Sequence, residues 1–457
     1  MSLSKDLPEV VSAPTHEDFC SYLPWACLQF GVPAVVAINK TIEGSLSKPH
    51  PESGKIIKGR KISSSFHLPL VDEKQSTADP KNPKIYITAV FNNANKLIKL
   101  IFENKNETIP REVMKVINLF IHKQIDLRRL GIKSGVDKFI IHEISEILKV
   151  SHLTEICLDN SFVKEGNYAV LLDTDSLRYL SLSKCKINDK VIEEMCKNLE
   201  YPKPASKSLV ALVLSTNMIT DDGAKFLGEA LRSNRKLAYL NLADNRITDE
   251  GASYILDTLV EFRLRTEELV ASKGRKFAYL KERNTVSLEK VNQKENKKST
   301  KSKLSTSSVS SKKGKLKDTL KSRENSKASV ILVADETEHE ARTIDEDFHD
   351  PFHCPNIYMK EGTAYCKGNN SLLYLNVAYN NLTYVSLKKI LEVILYQKTS
   401  DIGRGLVDVK LDGNYLPEWE EMQELDELLC QKRSSEESIK ASSRRRSKTS
   451  KHRRDTE

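Results

Sequence analysis

His349, His353, Cys354 and Cys366 place imidazole and thiol groups within 18 residues of one another. By type these are zinc ligands, and a small knuckle is what they would build. Their spacing matches no common ligand pattern, so the expectation is a loop with free thiols and no metal. Gly54-Lys55 does not make a phosphate-binding loop, because no Gly stands five residues earlier and Ile56 occupies the Ser/Thr position. There is no nucleophile elbow and no H-E-x-x-H. The chain therefore reads as non-catalytic and in need of no cofactor.

What does recur is an apolar pattern. Six segments fit L-x-x-L-x-L-x-x-N-x-L: Leu153-Ile156-Leu158, Leu177-Leu180-Leu182, Leu209-Leu212-Leu214, Leu237-Leu240-Leu242, Leu372-Leu375-Val377 and Leu406-Val409-Leu411. A weaker copy, with Ile125, Leu127, Leu130 and Ile132, precedes them. Positions four and six share one side of a short strand and point inward. After the strand the chain turns, and the turn leaves backbone amides facing the interior. A buried Asn can satisfy them, and stacked copies form a ladder. Asn217, Asn245, Asn380 and Asn414 hold that place in the last four repeats, with Cys185 and Ser161 in the second and first. Each unit cannot bury its apolar face alone, so the repeats must stack.

The second half of each repeat reads as helix. Thr220-Asp221 and Thr248-Asp249 open apolar runs at helical spacing, and are expected to cap those helices and oppose their dipoles. The fold class is therefore α/β: a leucine-rich-repeat solenoid, or horseshoe, of about six to seven repeats, with parallel concave strands and convex helices. The strand positions flanking the inward leucines then face the concave side. Tyr179, Tyr239 and Tyr374 stand at position three, Asn241 and Asn376 at position five, and Tyr379 at position eight. Exposed tyrosines in a row are interface anchors. These six residues are the candidate partner-binding set.

Residues 1–80, rich in Pro, Ser and Lys, read as a disordered N-terminal segment. Residues 84–150 read as an N-terminal cap, with strands Lys84–Phe91 and Lys96–Phe102 and a helix beginning near Pro110. Repeats occupy 153–260, and a charged helix covers 261–292. Residues 293–370 form a disordered insert, Lys/Ser-rich and then acidic from Asp335 to Asp350. Residues 371–430 hold the last repeats and a closing helix over Trp419–Leu429; 431–457 form a basic, disordered tail. Repeat five should stack on repeat four with the insert looping out.

The net charge of +9 is unevenly spread. Residues 271–330 hold 18 Lys/Arg against 5 Asp/Glu, and residues 431–457 hold 10 against 4. The rest of the chain is thus mildly acidic. Both basic stretches invite a polyanion partner, RNA or an acidic microtubule surface. No aromatics interleave the lysines of residues 294–327 or of the tail, so nucleic acid is not the favoured partner. The first residues lack a basic region followed by an apolar one, so no signal peptide is expected. Trp25 to Ile38 is apolar but, at about 14 residues, shorter than a membrane span. Eight scattered cysteines fit a reducing compartment. Arg444-Arg445-Arg446-Ser447 resembles a basophilic kinase site and would equally serve as a nuclear signal.

The run from Leu209 to Ala224, repeated from Leu237 to Ala252, resembles the ribonuclease-inhibitor class of leucine-rich repeats. Ser386 and Glu420 depart from it where Gly is expected. Within that class, NRKLAYLNLADNRITDEGA, the Lys-rich insert and the late return at SLLYLNVAYNNLT resemble the leucine-rich-repeat-containing protein 71 family. That resemblance implies no known activity. It implies a place in ciliated cells, hence a cytoplasmic protein of the cilium or axoneme. The sequence as a whole reads as a scaffold that binds another protein on its concave face.

Overall fold

The computed structural model describes residues 13–44, 83–104, 108–164, 166–301, 348–400, 404–416 and 420–434, with backbone alone for 286–301. The chain divides into two compact units: residues 1–260 with 369–457, and residues 261–368.

The larger unit is built on one sheet of ten strands. In chain order the strands of the protein are β1 (Val35–Ile42), β2 (Lys84–Phe91), β3 (Leu97–Phe102), β4 (Arg129–Ile132), β5 (Glu155–Cys157), β6 (Tyr179–Ser181), β7 (Ala211–Val213), β8 (Tyr239–Asn241), β9 (Phe262–Arg263), β10 (Ile357–Lys360), β11 (Thr363–Cys366), β12 (Tyr374–Asn376) and β13 (Asp408–Lys410). The large sheet runs β1 to β8, then β12 and β13. Every neighbouring pair is parallel except the β2–β3 hairpin. Each short strand buries its middle residue, from Leu130 and Ile156 through Leu240 to Leu375. The fold is an α/β leucine-rich-repeat solenoid.

Three hydrogen-bond ladders run along it. In the first, Asn217 Oδ1 accepts from Cys185 N and Ile187 N, both at 3.0 Å, while its Nδ2 donates to Leu182 O and Leu214 O at 2.9 Å. Asn245, Asn380 and Asn414 repeat the arrangement. Cys185 substitutes with its thiol, 3.2 Å from Leu158 O. The Ser161 hydroxyl finds no partner; the Ser161 carbonyl instead accepts from the Tyr168 hydroxyl.

The second ladder uses aspartates. Asp189 accepts from Thr220 N, Thr220 Oγ1 and Gly223 N; Asp221 accepts from Thr248 N, Thr248 Oγ1 and Gly251 N. Asp249 accepts from Thr383 and Ser386, backbone and hydroxyl alike. Each Asp opens one helix but caps the helix of the next repeat. Asp221 and Asp249 do lie in the first turns of their own helices, where they oppose the dipole as expected, but their capping bonds go to the next repeat's helix, which corrects that half of the expectation. The third ladder ties helix ends: Asn234 Nδ2 donates to Leu199 O, Asn369 Nδ2 to Leu231 O, and Gln397 Nε2 to Leu259 O.

The N-terminal segment departs from the expectation of disorder. Residues 13–44 form a helix, Phe19–Gln29, and strand β1, which pairs in parallel with β2. Phe19, Leu23, Ala26 and Cys27 are buried in the same core as the repeats. A mean taken over 80 Pro- and Ser-rich residues hides this apolar stretch; residues 45–82 lie outside the described set. In the weak repeat, Leu127, Leu130 and Ile132 are buried, but Ile125 is 63% exposed and belongs to the preceding turn. The cap helix runs Arg111–Phe120 with Pro110 as its N-cap residue. The closing helix is described over 420–434, with Leu425, Leu428 and Leu429 buried; Trp419 is outside the described residues.

The smaller unit corrects the insert. Its helix is Thr266–Lys301, and β9 precedes it. Residues 348–368 are ordered: β10 and β11 form a hairpin, and β11 pairs with β9. Phe262, Leu264, Phe352, Ala364 and Cys366 make a small core. Asp350, the end of the acidic patch, has a fully buried side chain that meets Arg275 Nε at 2.5 Å. It also accepts from Ser272 Oγ and Phe352 N. Burial alone would raise its carboxyl; the Arg275 guanidinium and these donors outweigh that and hold it below the ordinary carboxylate value. A hydrophilic average over the insert could not reveal a core this small. The Lys/Ser-rich run up to residue 347 and the tail beyond 434 lie outside the described residues.

Candidate functional site

The middle residue of each strand faces the core, so its two neighbours must face the other way. Backbone register aligns these neighbours into rows. One row reads Lys99, Arg129, Glu155, Tyr179, Ala211, Tyr239, Tyr374, Asp408. The next continues from Gly131 through Cys157, Ser181, Val213, Asn241 and Asn376 to Lys410.

Tyr239 and Tyr374 stand directly opposite each other although 135 residues separate them. Their ring centroids are 6.2 Å apart, with 40° between the planes. Both are half-buried, as is Tyr179. Tyr179 lies two strands away across Ala211, whose small side chain leaves a notch between the rings. Burial, with Asp159 nearby, raises the Tyr179 phenol above its ordinary value, so it stays protonated as a donor. Tyr379 is 62% exposed and has a positive φ of 54°. Its ring lies against Gly413, where any Cβ would collide with it.

The same backbone twist recurs at position eight of all six repeats. Asn160, Lys184, Thr216, Asp244, Tyr379 and Gly413 all have positive φ. From Asn160 through Tyr379 each N–H donates to a carbonyl of the next repeat, at 2.7 to 3.0 Å. The left-handed turn is thus imposed by stacking, even on a β-branched Thr.

The two asparagines of the candidate set do other work. Asn241 Oδ1 accepts from Ala243 N, and Asn376 Oδ1 from Ala378 N, each at 3.0 Å. They hold the turn that follows each strand, so tyrosines carry the free ring surface of this face. Sequence reasoning also overlooked the charged ends of the tyrosine row. Arg129 Nε meets Glu155 Oε2 at 2.7 Å, and Asp408 meets Arg433 Nη1 at 3.2 Å. Extending position three back to the first repeat would have found Glu155.

Burial makes three of the thiols poor nucleophiles. Burial pushes Cys27 and Cys157 up to about 11 and Cys185 up to about 12. His353 faces Lys276 Nζ at 3.0 Å, and Cys366 is buried in β11. Among the described residues no group of three His, Cys, Asp or Glu side chains could hold a metal ion. No helix among them is long and apolar enough to cross a membrane.

Comparison with known proteins agrees with the repeat assignment. The family described as Leucine Rich repeat matches at residues 205–228, 233–256 and 368–391, which are repeats three, four and five. Among solved structures, an internalin (inlF) of Listeria monocytogenes is similar, at 12% identity and a TM-score of 0.30. The match covers 73% of this chain and 62% of that one, so the chain spans less than two thirds of its length. No curated protein matches the chain. The three matched segments are leucine-rich repeats by this comparison, as they are by their strand register and Asn ladder.

Proposed function

We propose that the protein is a non-catalytic scaffold that binds a protein partner on the strand face carrying Tyr179, Tyr239, Tyr374 and Tyr379. The observation that supports this is the direct pairing of Tyr239 with Tyr374 across the insertion point. Half-exposed tyrosines with an apolar ring and a polar tip anchor interfaces at small entropic cost. By resemblance to the leucine-rich-repeat-containing protein 71 family, the partner belongs to the cytoplasm of ciliated cells.

The test is a quantitative pull-down from ciliated cells, comparing full-length protein with Tyr239→Ala/Tyr374→Ala. Loss of specific partners by the double variant, at unchanged circular dichroism, supports the reading. Partners that survive it but vanish when residues 271–330 are deleted would sink it, and would move the function to the basic insert as a polyanion contact. Salt separates the two as well: polyanion binding collapses with ionic strength, whereas a tyrosine-anchored interface weakens little.

A further inference from the structure

The helix Thr266–Lys301 has two unlike sides. On one, Ser272 and Arg275 bond Asp350, Lys276 bonds His353, and the Tyr279 ring meets Phe348. The other side is open. Val270 is 63% and Phe277 71% exposed, and Ala271, Gly274 and Ala278 are exposed beside them. A Cβ on Gly274 would meet nothing within 4 Å. Helical spacing gathers these five residues into one stripe about two turns long, centred on Gly274. Val270 and Phe277 form its bulky edge, Ala271 and Ala278 its small edge. Its ends carry opposite charges, Glu267 and Lys281, both exposed and both without a partner among the described residues.

We propose that this stripe pairs with the same stripe of a second copy of the chain, the two helices running antiparallel and crossing at Gly274. The stripe is self-complementary about that residue. Glu267 and Lys281 stand seven positions to either side, so an antiparallel copy sets each carboxylate against an ammonium, twice. The same symmetry lays Phe277 against Val270 of the other copy, and Ala278 against its Ala271. A parallel pair would instead bring Glu267 beside Glu267 and Lys281 beside Lys281. With no side chain at Gly274, the axes can approach to about 8 Å. Lys273 lies at the flank of the stripe, exposed and free to extend into solvent. An unrelated apolar helix would also cover Val270 and Phe277, but only self-pairing requires opposite charges at equal distances from the crossing. A contact this short buries less than about 1,200 Å² in total, so the dimer is weak and reversible.

The experiment is sedimentation equilibrium of the full-length chain at about 1 to 200 μM, the range of a weak interface. A reducing buffer keeps the exposed Cys354 and Cys430 from linking copies. The parent is compared with Glu267→Lys, with Lys281→Glu and with the double variant Glu267→Lys/Lys281→Glu. The parent is expected to dimerise with rising concentration. Each single variant sets like charges together at two places and should dimerise about tenfold more weakly. The double variant rebuilds both ion pairs with their signs exchanged and should return to within about threefold of the parent. A helix merely weakened by the substitutions would not recover in this way. A parent that stays monomeric throughout overturns the proposal and leaves the stripe to an unrelated partner. Single variants that dimerise as the parent does, or a double variant no stronger than the singles, also overturn it, since any dimer would then form elsewhere.

Discussion

Asp249 lies in the first turn of one helix, yet its carboxylate holds the first turn of the next. Thr383 and Ser386 each give it a backbone and a hydroxyl bond. Burial alone would raise this carboxyl, but the Ser386 and Thr383 bonds outweigh it, so its folded pKa falls below the ordinary carboxylate value. The ionised form is thus favoured in the folded state. The associated stability is present above the unfolded pKa and is lost as pH falls through the folded one. Urea unfolding of Asp249→Ala should show a deficit of about 1–3 kcal/mol at pH 7 that narrows near pH 3. An equal deficit at both pH values would show that the charge contributes nothing. The same clasp explains Ser386. It stands where earlier repeats have Gly, and its hydroxyl adds a bond to Asp249. The clasp then ends, because Tyr384 occupies the next Asp position and bonds Glu421 instead.

At the scale of the element, glycines in two helices should respond in opposite directions. A Cβ on Gly251 would meet Asp221 Oδ1 and Ile247 Cγ2 closer than 3.0 Å, so in this repeat the carboxylate and Ile247 would have to shift to admit a side chain. Gly274, within the helix Thr266–Lys301, has nothing within 4 Å. Gly251→Ala is expected to cost about 1–3 kcal/mol through overpacking. Gly274→Ala is expected to add up to about 1 kcal/mol through helix propensity. Paired thermal melts check both signs; stabilisation by Gly251→Ala would remove the clasp as the reason for that glycine. The strand and helix pattern of the repeats was legible because one residue spacing recurs six times. The helix Phe19–Gln29 and the β10–β11 hairpin were not. Each is a single short element whose burial depends on partners far along the chain.

At the scale of the whole molecule, the insertion leaves the ladders of the larger unit unbroken. Asn380 bonds Leu242 O and Ile247 N as though residues 261–368 were absent. The two ends of the insertion are close, with Asn369 N donating to Thr258 O at 2.7 Å. Replacing 261–368 by a short Gly/Ser linker should therefore leave a folded solenoid. Its urea midpoint should stay within about 1 kcal/mol equivalent of the parent, since loop closure costs little and every ladder bond survives. A variant that loses cooperative unfolding would show that the smaller unit is needed to join repeats four and five.

By itself the sequence determined the repeats, their strands, the Asn ladder and the pairing of Tyr239 with Tyr374. All of these follow from a short-range period that any stack of such units must satisfy. Only the tertiary structure decided which carboxylate caps which helix and that residues 13–44 complete the cap. It alone placed Tyr358, Tyr365 and Arg263 in one row. Those contacts join residues through space, where burial and register choose the partner and no local spacing records the choice.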